Sequence, residues 1–334
     1  MEAKIRIEGA TMKKVNLLVL FLAALWPAAG ALAQTYPAKP IRLVVPFSPG
    51  GAADLTARTL GQKMGDLLGQ PIVIDNKPGA NGVLGIDAVA KAAPDGYTIL
   101  LTDRGSLAVN PSLYTKLPYD PLKDFAHIGI VTDGPYVLVA NPKLDVKTPQ
   151  ELVALSKAKP GTLSYASYGV GSMAQLNLEA FNQQMGTDML HVPYKGAGPA
   201  AQAAVAGEVG VTIAAVPAVQ GFIKDGRLRA LAVGSDKRFA VLPDVPTMKE
   251  LGAPGDILVP TYFALLAPAG TPPAIVAKLN AEMKKAIADG GVAEKLAGAG
   301  LIPQGGTPEA MAASLKQDVP RFAELVKKIG IKPE

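Results

Sequence analysis

The chain contains no cysteine, and this absence excludes several kinds of chemistry. None of its 334 residues can form a disulfide, act as a thiol nucleophile, supply a thiolate to a metal or carry a lipid anchor. Histidine is also scarce: His127 and His191 both fall in strand-like surroundings, where packed histidines are commoner than catalytic ones. No spacing of histidine and acidic residues is typical of a metal site. The sequence therefore indicates no metal, no cofactor and no catalytic group.

Charged and aromatic residues are few. Charged residues make up 18% of the chain, and the net charge of +5 comes from lysines and arginines scattered among acidic residues. Nucleic-acid binding needs a basic face, so we expect no nucleic-acid partner. Aromatics account for only 5%, whereas 35 glycines and 29 prolines indicate many tight turns. The length and the 49% of hydrophobic residues are sufficient for two domains with buried cores.

Residues 1–33 are typical of a secretory signal peptide. A positive start at Lys13 and Lys14 precedes an apolar run over 15–25, and an Ala-Leu-Ala cleavage pattern ends the segment. We expect Met12 to be the true start. A membrane anchor is the alternative, but the apolar run is shorter than the ~20 residues that a spanning helix needs. The expected location is the periplasm.

Strand-like and helical patterns alternate along the rest of the chain. The segments IRLVVPF, PIVIDN and YTILLTD are predicted strands, and the stretches between them have helical spacing. This alternation predicts an α/β fold with parallel sheets covered by helices. We predict two lobes, the first formed by 34–133 with 250–334 and the second by 134–249. Clefts between lobes are favoured ligand sites.

The first candidate binding loop lies in VPFSPGGAAD, directly after the first strand. Its glycines allow close approach to a ligand, and free amides at the following helix start favour an anion. The alternative is an ordinary strand-to-helix turn that binds nothing, and this loop alone does not decide between them. The candidate ligand-binding residues that this pattern supplies are Gly50 and Gly51.

A second loop of the same kind lies in LSYASYGVGSMA, in the other predicted lobe. Its candidate residues are Gly169, Gly171 and Ser172. Serine is a favoured helix N-cap, and the two loops together can hold one anion in a shared cleft. GVGSMA also matches the dinucleotide-binding pattern, but no acidic residue follows at the end of the next strand to bind a ribose.

Two further loops follow predicted strands. The segment TDRGS supplies Asp103, Arg104 and Ser106, and HVPYKG supplies Tyr194 and Lys195. Ligands in open α/β sheets collect at the carboxyl ends of strands, and an arginine can bind a carboxylate through two hydrogen bonds. A solvent-exposed arginine and a surface turn are the alternative interpretations.

Seven segments occur together in the chain: VPFSPGGAAD, NKPGANGVLG, APDGYTILL, NPSLYTKLPYDPLKDF, LSYASYGVGS, HVPYKG and LAPAGTPP. In combination they resemble the solute receptors of tripartite tricarboxylate transporters, the Bug or TctC group, over residues 36–330. The resemblance implies a fold similar to type II periplasmic binding proteins, with two lobes that close over a small carboxylate. It also implies a monomeric receptor without enzymatic activity, whose partner is a membrane permease with a large and a small subunit.

The resemblance implies that all four loops line the ligand cleft. It adds Phe47, Ser48 and Asp54 of the first loop and Ser167 and Tyr168 of the second as ligand-binding residues. The chain departs from the family pattern at Gln175, Ala214, Thr261 and Arg104, and an acidic residue is usual where Ala214 stands. We therefore predict a dicarboxylate or aromatic carboxylate rather than an amino acid, with Arg104 meeting the second charge. A ligand sensor for a signalling partner and a secreted enzyme acting on carboxylates are the alternative functions.

Overall fold

The computed structural model describes residues 36–332, apart from 236 and 254–256. The predicted signal peptide lies outside the described residues. The elements named below all lie in a compact unit that begins at Lys39. The strands are β1 (Ile41–Val45), β2 (Ile72–Asn76), β3 (Thr98–Asp103), β4 (Phe125–Gly134), β5 (Tyr136–Ala140), β6 (Ser164–Ser167), β7 (Leu190–Pro193), β8 (Val211–Ala215), β9 (Arg229–Val233), β10 (Thr261–Pro268) and β11 (Ile302–Pro303).

The helices connect these strands and cover the sheets. They are α1 (Ala52–Leu68), α2 (Val83–Ala90), α3 (Arg104–Ala108), α4 (Asn110–Leu113), α5 (Pro149–Ala158), α6 (Met173–Met185), α7 (Ala197–Ala206), α8 (Val216–Lys224), α9 (Pro273–Ala288), α10 (Gly290–Gly298) and α11 (Pro308–Lys328), with 3₁₀ turns at Ala80–Gly82 and Pro142–Leu144. Within the described part of the chain, no helix has the length and apolar character required to cross a bilayer.

The strands form two sheets. The first has six strands in the order β11-β4-β10-β3-β1-β2, and the second has five in the order β7-β6-β8-β5-β9. The α/β class is therefore confirmed, but the sheets are mixed and not wholly parallel. Strand β10 runs antiparallel to β3 and β4, and β5 runs antiparallel to β8 and β9.

The antiparallel strands occur where the chain passes between the sheets. Only Pro135 separates β4 of the first sheet from β5 of the second, and β10 brings the chain back to the first sheet. Strands β5 and β10 therefore each enter a sheet from the other one. For this reason they need not run in the same direction as the strands that are joined by helices within one sheet. The lobe boundaries proposed from the sequence stay predictions.

The buried strands explain where the core lies. All eight residues of β10 are buried, because this strand lies inside the first sheet between β4 and β3. In contrast, β2 is an edge strand whose residues are at most half-buried. The second sheet has its own apolar cluster, which includes Val137, Ala166, Ala214 and Val233. Burial of an aliphatic side chain contributes about 1.5–3 kcal/mol.

Helix starts follow the expected capping rules. Thr148 precedes α5 and accepts a hydrogen bond from the Glu151 N–H, with Pro149 as the first helical residue. A threonine N-cap followed by proline at the first helical position is a favoured helix start. It shows that local signals determine where these helices begin.

Candidate functional site

The loop between β1 and α1 leaves its backbone open. Gly51 is the N-cap of α1, and no side chain accepts a hydrogen bond from the first helical amides. A Cβ placed on Gly50 or Gly51 would meet no heavy atom of the described protein within 4 Å, neighbouring residues aside. Uncapped helix amides carry partial positive charge. The first predicted loop therefore presents free N–H donors beside open space.

Asp54 supports this loop from within α1. It is buried, and its carboxylate accepts hydrogen bonds from the Gly50 N–H at 3.0 Å and from Arg58 Nε at 3.0 Å. Burial raises the pKa of Asp54, but the bonds from Arg58 and Gly50 outweigh it, and the net pKa lies below its ordinary value. Both carboxylate oxygens contact the protein, since Arg58 also pairs with Oδ1 at 2.9 Å. In the structure the Asp54 carboxylate is bound by Arg58 and the Gly50 N–H, and its predicted contact with a ligand stays a prediction.

The second loop is closed by its own side chains. Ser172 caps α6 by accepting from the Gln175 N–H at 3.4 Å, and its Oγ donates to the Gly169 carbonyl at 2.8 Å. Gln175 Oε1 in turn accepts from the Gly171 N–H at 2.7 Å. The predicted N-cap is confirmed. The Gly171 N–H is thus bonded to a side chain of the following helix, as the Gly50 N–H is to Asp54, but here the first turn of the helix also has a capping side chain.

Ser167 and His191 fix the first half of the second loop. Ser167 is fully buried, and its Oγ lies 2.6 Å from His191 Nε2 and donates to the Gly169 carbonyl at 3.0 Å. The His191 ring stacks on Tyr165 with a centroid distance of 5.1 Å. Burial lowers the pKa of His191, so the neutral ring is favoured. The sequence identified His191 as a packed residue but did not predict its contact with Ser167.

Residues of the two sheets meet at the second loop. Asn81, in the turn after β2, donates from Nδ2 to the Gly171 carbonyl at 3.5 Å. A Cβ placed on Gly171 would overlap the side chain of Leu113 in α4. A Cβ placed on Gly105 in α3 would lie 2.8 Å from Cγ of Met173, the first residue of α6. These contacts bring the loops predicted in different lobes to one region.

A buried polar cluster supports that region on the side of the first sheet. Ser106 Oγ donates to the Asn81 carbonyl at 3.3 Å, and Asn110 donates from Nδ2 to the Tyr119 hydroxyl at 2.9 Å. The Tyr119 hydroxyl donates to the Ser106 carbonyl at 2.7 Å, and burial raises the pKa of Tyr119, which keeps the hydroxyl protonated. Asn81, Asn110 and Tyr119 were not predicted as site residues, although they lie in the quoted segments NKPGANGVLG and NPSLYTKLPYDPLKDF.

Asp103 and Tyr168 lie at the ends of strands in different sheets. Asp103 caps α3 by accepting from the Ser106 N–H at 2.8 Å. Burial raises the pKa of Asp103, and burial is also the main cause of the raised pKa values of Tyr136 and Tyr168, to which the Asp103 charge adds a smaller effect. The Tyr136 and Tyr168 rings lie 6.5 Å apart. These groups therefore interact electrostatically within one region.

The Arg104 guanidinium is bound by other parts of the protein. It donates from Nε to Asp318 Oδ2 at 3.0 Å and to the Pro260 carbonyl at 2.8 Å, and it lies 4.6 Å from the Tyr262 ring centroid. Only 17% of its side chain is exposed. The hypothesis that Arg104 meets a second ligand charge is therefore not supported. Asp318 lies 214 residues further along the chain, so the sequence did not reveal this pair.

The fourth predicted loop lies beside the second. The Tyr194 N–H donates to the Ser167 carbonyl at 2.9 Å, which continues the pairing of β6 and β7. The Tyr194 hydroxyl donates to Glu208 at 3.1 Å, and Lys195 is exposed. Ligand contacts by Tyr194 and Lys195 stay predictions.

Two further observations concern ligand chemistry. Among the described residues, no group of three or more histidine or acidic side chains is placed to hold a metal ion. Ala214 belongs to the apolar cluster of the second sheet and is 1% exposed. Ala214 therefore packs in the core of the second sheet, and the prediction against amino-acid ligands loses the support of this residue.

Comparisons with known proteins agree with this architecture. Residues 56–331 match the profile of the tripartite tricarboxylate transporter family receptor. The chain is 42% identical to the protein BugT of Bordetella pertussis over 314 residues, which cover 94% of this chain and 96% of BugT. Among solved structures, MatC from Rhodopseudomonas palustris with bound malate has a TM-score of 0.81 and 34% identity, and the match covers 87% of this chain and 100% of MatC. An R. palustris protein solved with adipate has a TM-score of 0.86 and 33% identity, covering 90% and 100% of the two chains.

Proposed function

Because the chain belongs to the tripartite tricarboxylate transporter receptor family, we propose that it binds a small organic carboxylate between its two sheets and delivers it to a membrane permease. The family consists of solute-binding receptors. The proposed permease has a large and a small subunit, and the proposed location is the periplasm. The predicted signal peptide supports export.

The open start of α1 is the observation that carries the proposal. Its amides have no capping side chain, and Gly50 and Gly51 keep the surrounding space free. A carboxylate placed there accepts N–H hydrogen bonds and is stabilised by the helix dipole, with no cation required. Hydrogen bonds to a charged group are among the stronger ones in proteins. The Asp54 contact with the Gly50 N–H supports this backbone.

A dicarboxylate is the favoured ligand class in this proposal. The two R. palustris relatives were solved with malate and adipate, and both of these acids carry two carboxylates. Arg104 does not contribute to this preference, because its guanidinium is paired with Asp318. We therefore propose the preference from the relatives and not from Arg104.

Calorimetry with a panel of mono-, di- and tricarboxylates tests ligand binding, and the variant Gly51→Asp tests the site. Gly51 has φ −87° and ψ 179°, which any residue adopts. An aspartate there caps α1 and places its own carboxylate where the ligand's is proposed to bind. The matched control Gly51→Asn caps the helix with a side chain of similar size and no charge.

We expect Gly51→Asp to fold normally and to bind the acid at least about tenfold more weakly than Gly51→Asn, because two carboxylates then compete for the same amides. A ligand at 100 times its Kd should add about 2.7 kcal/mol to the stability of the unmodified protein. Failure of every acid in the panel to bind, or equal affinity in both variants, would contradict the proposal. Delivery is tested separately, by loss of uptake of the identified acid when the receptor gene is deleted.

A further inference from the structure

We infer that Asp103 determines ligand specificity in the proposed carboxylate site, where its carboxylate accepts a hydrogen bond from a hydroxyl or ammonium group of the ligand. This inference rests on the proposed function, since it requires a ligand in the same cleft. It identifies the ligand class as a carboxylate that also carries a hydrogen-bond donor.

Asp103 lies between elements of both sheets. It ends β3 and is paired with Phe263 of β10. A Cβ placed on Gly105 would lie 2.8 Å from Met173 Cγ and 3.6 and 3.7 Å from the two Asp103 carboxylate oxygens. The carboxylate is therefore close to the start of α6, which follows the second loop.

Solvent reaches Asp103 although protein atoms crowd it. Its residue surface is partly accessible, in contrast to the buried Thr102 directly before it and the buried Ser106 three residues after it. Burial nevertheless raises the pKa of Asp103. Partial accessibility together with a pKa raised by burial is typical of a side chain in the wall of a narrow cleft, where water reaches the side chain from one direction and protein atoms surround it in the others.

The Asp103 charge lacks a cationic partner in the described part of the protein. The ion pairs found there do not include it, and its hydrogen bonds come from Ser106 and the adjacent backbone. The guanidinium of the next residue, Arg104, pairs instead with Asp318. The other titratable groups that interact with Asp103 are the hydroxyls of Tyr119, Tyr136 and Tyr168, which are neutral.

An unpaired carboxylate discriminates between ligands by charge. It repels the carboxylates of an approaching acid, and in a region of low dielectric this repulsion is strong. A ligand hydroxyl offsets part of it by donating a hydrogen bond, and an ammonium group offsets more by adding opposite charge. An acid without either group gains nothing at Asp103. The absence of an acidic side chain at Ala214 therefore does not exclude amino-substituted ligands.

Matched acids test this inference. Succinate, malate and aspartate carry hydrogen, hydroxyl and ammonium on the same carbon, and adipate, 2-hydroxyadipate and 2-aminoadipate form a longer set. Their affinities for the full chain are measured by calorimetry, with and without Asp103→Asn. Asparagine retains an oxygen that accepts from the Ser106 N–H, so the cap of α3 is kept while the charge is removed.

We expect the unmodified protein to bind the hydroxyl- or ammonium-bearing member of a set at least about tenfold more tightly than the unsubstituted acid. In Asp103→Asn the ratio of affinities between a substituted acid and the unsubstituted acid should fall about tenfold, and the fall should be greatest for the ammonium-bearing acid. The unsubstituted acid should bind this variant as tightly as the unmodified protein, or more tightly. Comparison of the hydroxyl-bearing and ammonium-bearing acids of one set shows which of the two donors Asp103 prefers.

Two results would overturn the inference alone: equal affinity of the unmodified protein for all members of a set that binds, or an equal loss for all members in Asp103→Asn. The second of these would assign Asp103 a capping role only. Failure of every acid in these sets and in the wider carboxylate panel would overturn the proposed function and the inference together.

Discussion

Arg104 Nε donates to Asp318 Oδ2 at 3.0 Å, and this ion pair joins the start of α3 to the C-terminal helix α11. The two side chains are 17% and 7% exposed. The pair also turns the guanidinium towards the Pro260 carbonyl and the Tyr262 ring. Arg104 thus links the start of α3 to the start of β10 and to α11, which lie far from it in the sequence.

Removal of Arg104 should destabilise the fold without changing ligand selectivity. Arg104→Ala leaves the Asp318 carboxylate buried and unpaired, which costs about 3–5 kcal/mol. The double variant Arg104→Leu/Asp318→Leu removes both charges and should recover most of this loss. Urea unfolding measures both changes. A selective loss of diacid over monoacid binding in Arg104→Ala would contradict the structural role.

Gly171 should not tolerate a side chain. Its φ is +75°, a region that costs other residues about 1–2 kcal/mol, and an added Cβ would overlap Leu113. We expect Gly171→Ala to lose about 2–4 kcal/mol of stability and to weaken ligand binding. The control Gly186→Ala also has positive φ but meets only the end of Lys157 at 3.6 Å, so it should lose less stability and no affinity. Equal behaviour of the two variants would refute the steric contact.

Asp54 should contribute stability that depends on pH. Its folded pKa lies below the unfolded value of about 3.9, because Arg58 and the Gly50 N–H favour the charged form over the effect of burial. The contribution is therefore complete above about pH 4 and is lost as pH falls through the lower folded pKa. We expect Asp54→Asn to cost about 1.5–3 kcal/mol at pH 7 and much less near pH 2. Urea unfolding at several pH values measures the difference, and a cost independent of pH would count against this ionisation.

His191 should make the protein less stable in mild acid. Burial lowers its folded pKa below the unfolded value of about 6.5, so the unfolded chain binds the proton more readily. Stability should then fall as pH decreases through about 6.5 and level off below the folded pKa. His127 has a pKa lowered by burial in the same way. His191→Gln should reduce the pH dependence, and His191→Gln/His127→Gln should remove it between pH 7 and 5; an unchanged profile in the double variant would refute the assignment.

Much of the fold was readable from the sequence because it depends on local patterns. The alternation of apolar runs and helical spacing predicted the α/β class, and Ser172 was identified as a helix cap from its immediate neighbours. The binding loops were located because glycine-rich turns follow strands. The family resemblance arises from the same short segments.

The tertiary structure alone decided how these local pieces meet. Arg104 pairs with Asp318, which lies 214 positions further along the chain. Asn81 donates a hydrogen bond to the carbonyl of Gly171, which lies 90 positions further. Such contacts depend on which strands are neighbours and in which direction they run, and β10 returns antiparallel between β3 and β4. Local propensity acts over a few residues, whereas side-chain partners at a cleft are chosen by packing between segments far apart in the chain. For this reason the sequence determined where the loops are, and the fold determined that Arg104 forms an ion pair and that Asp103 forms none with the described residues.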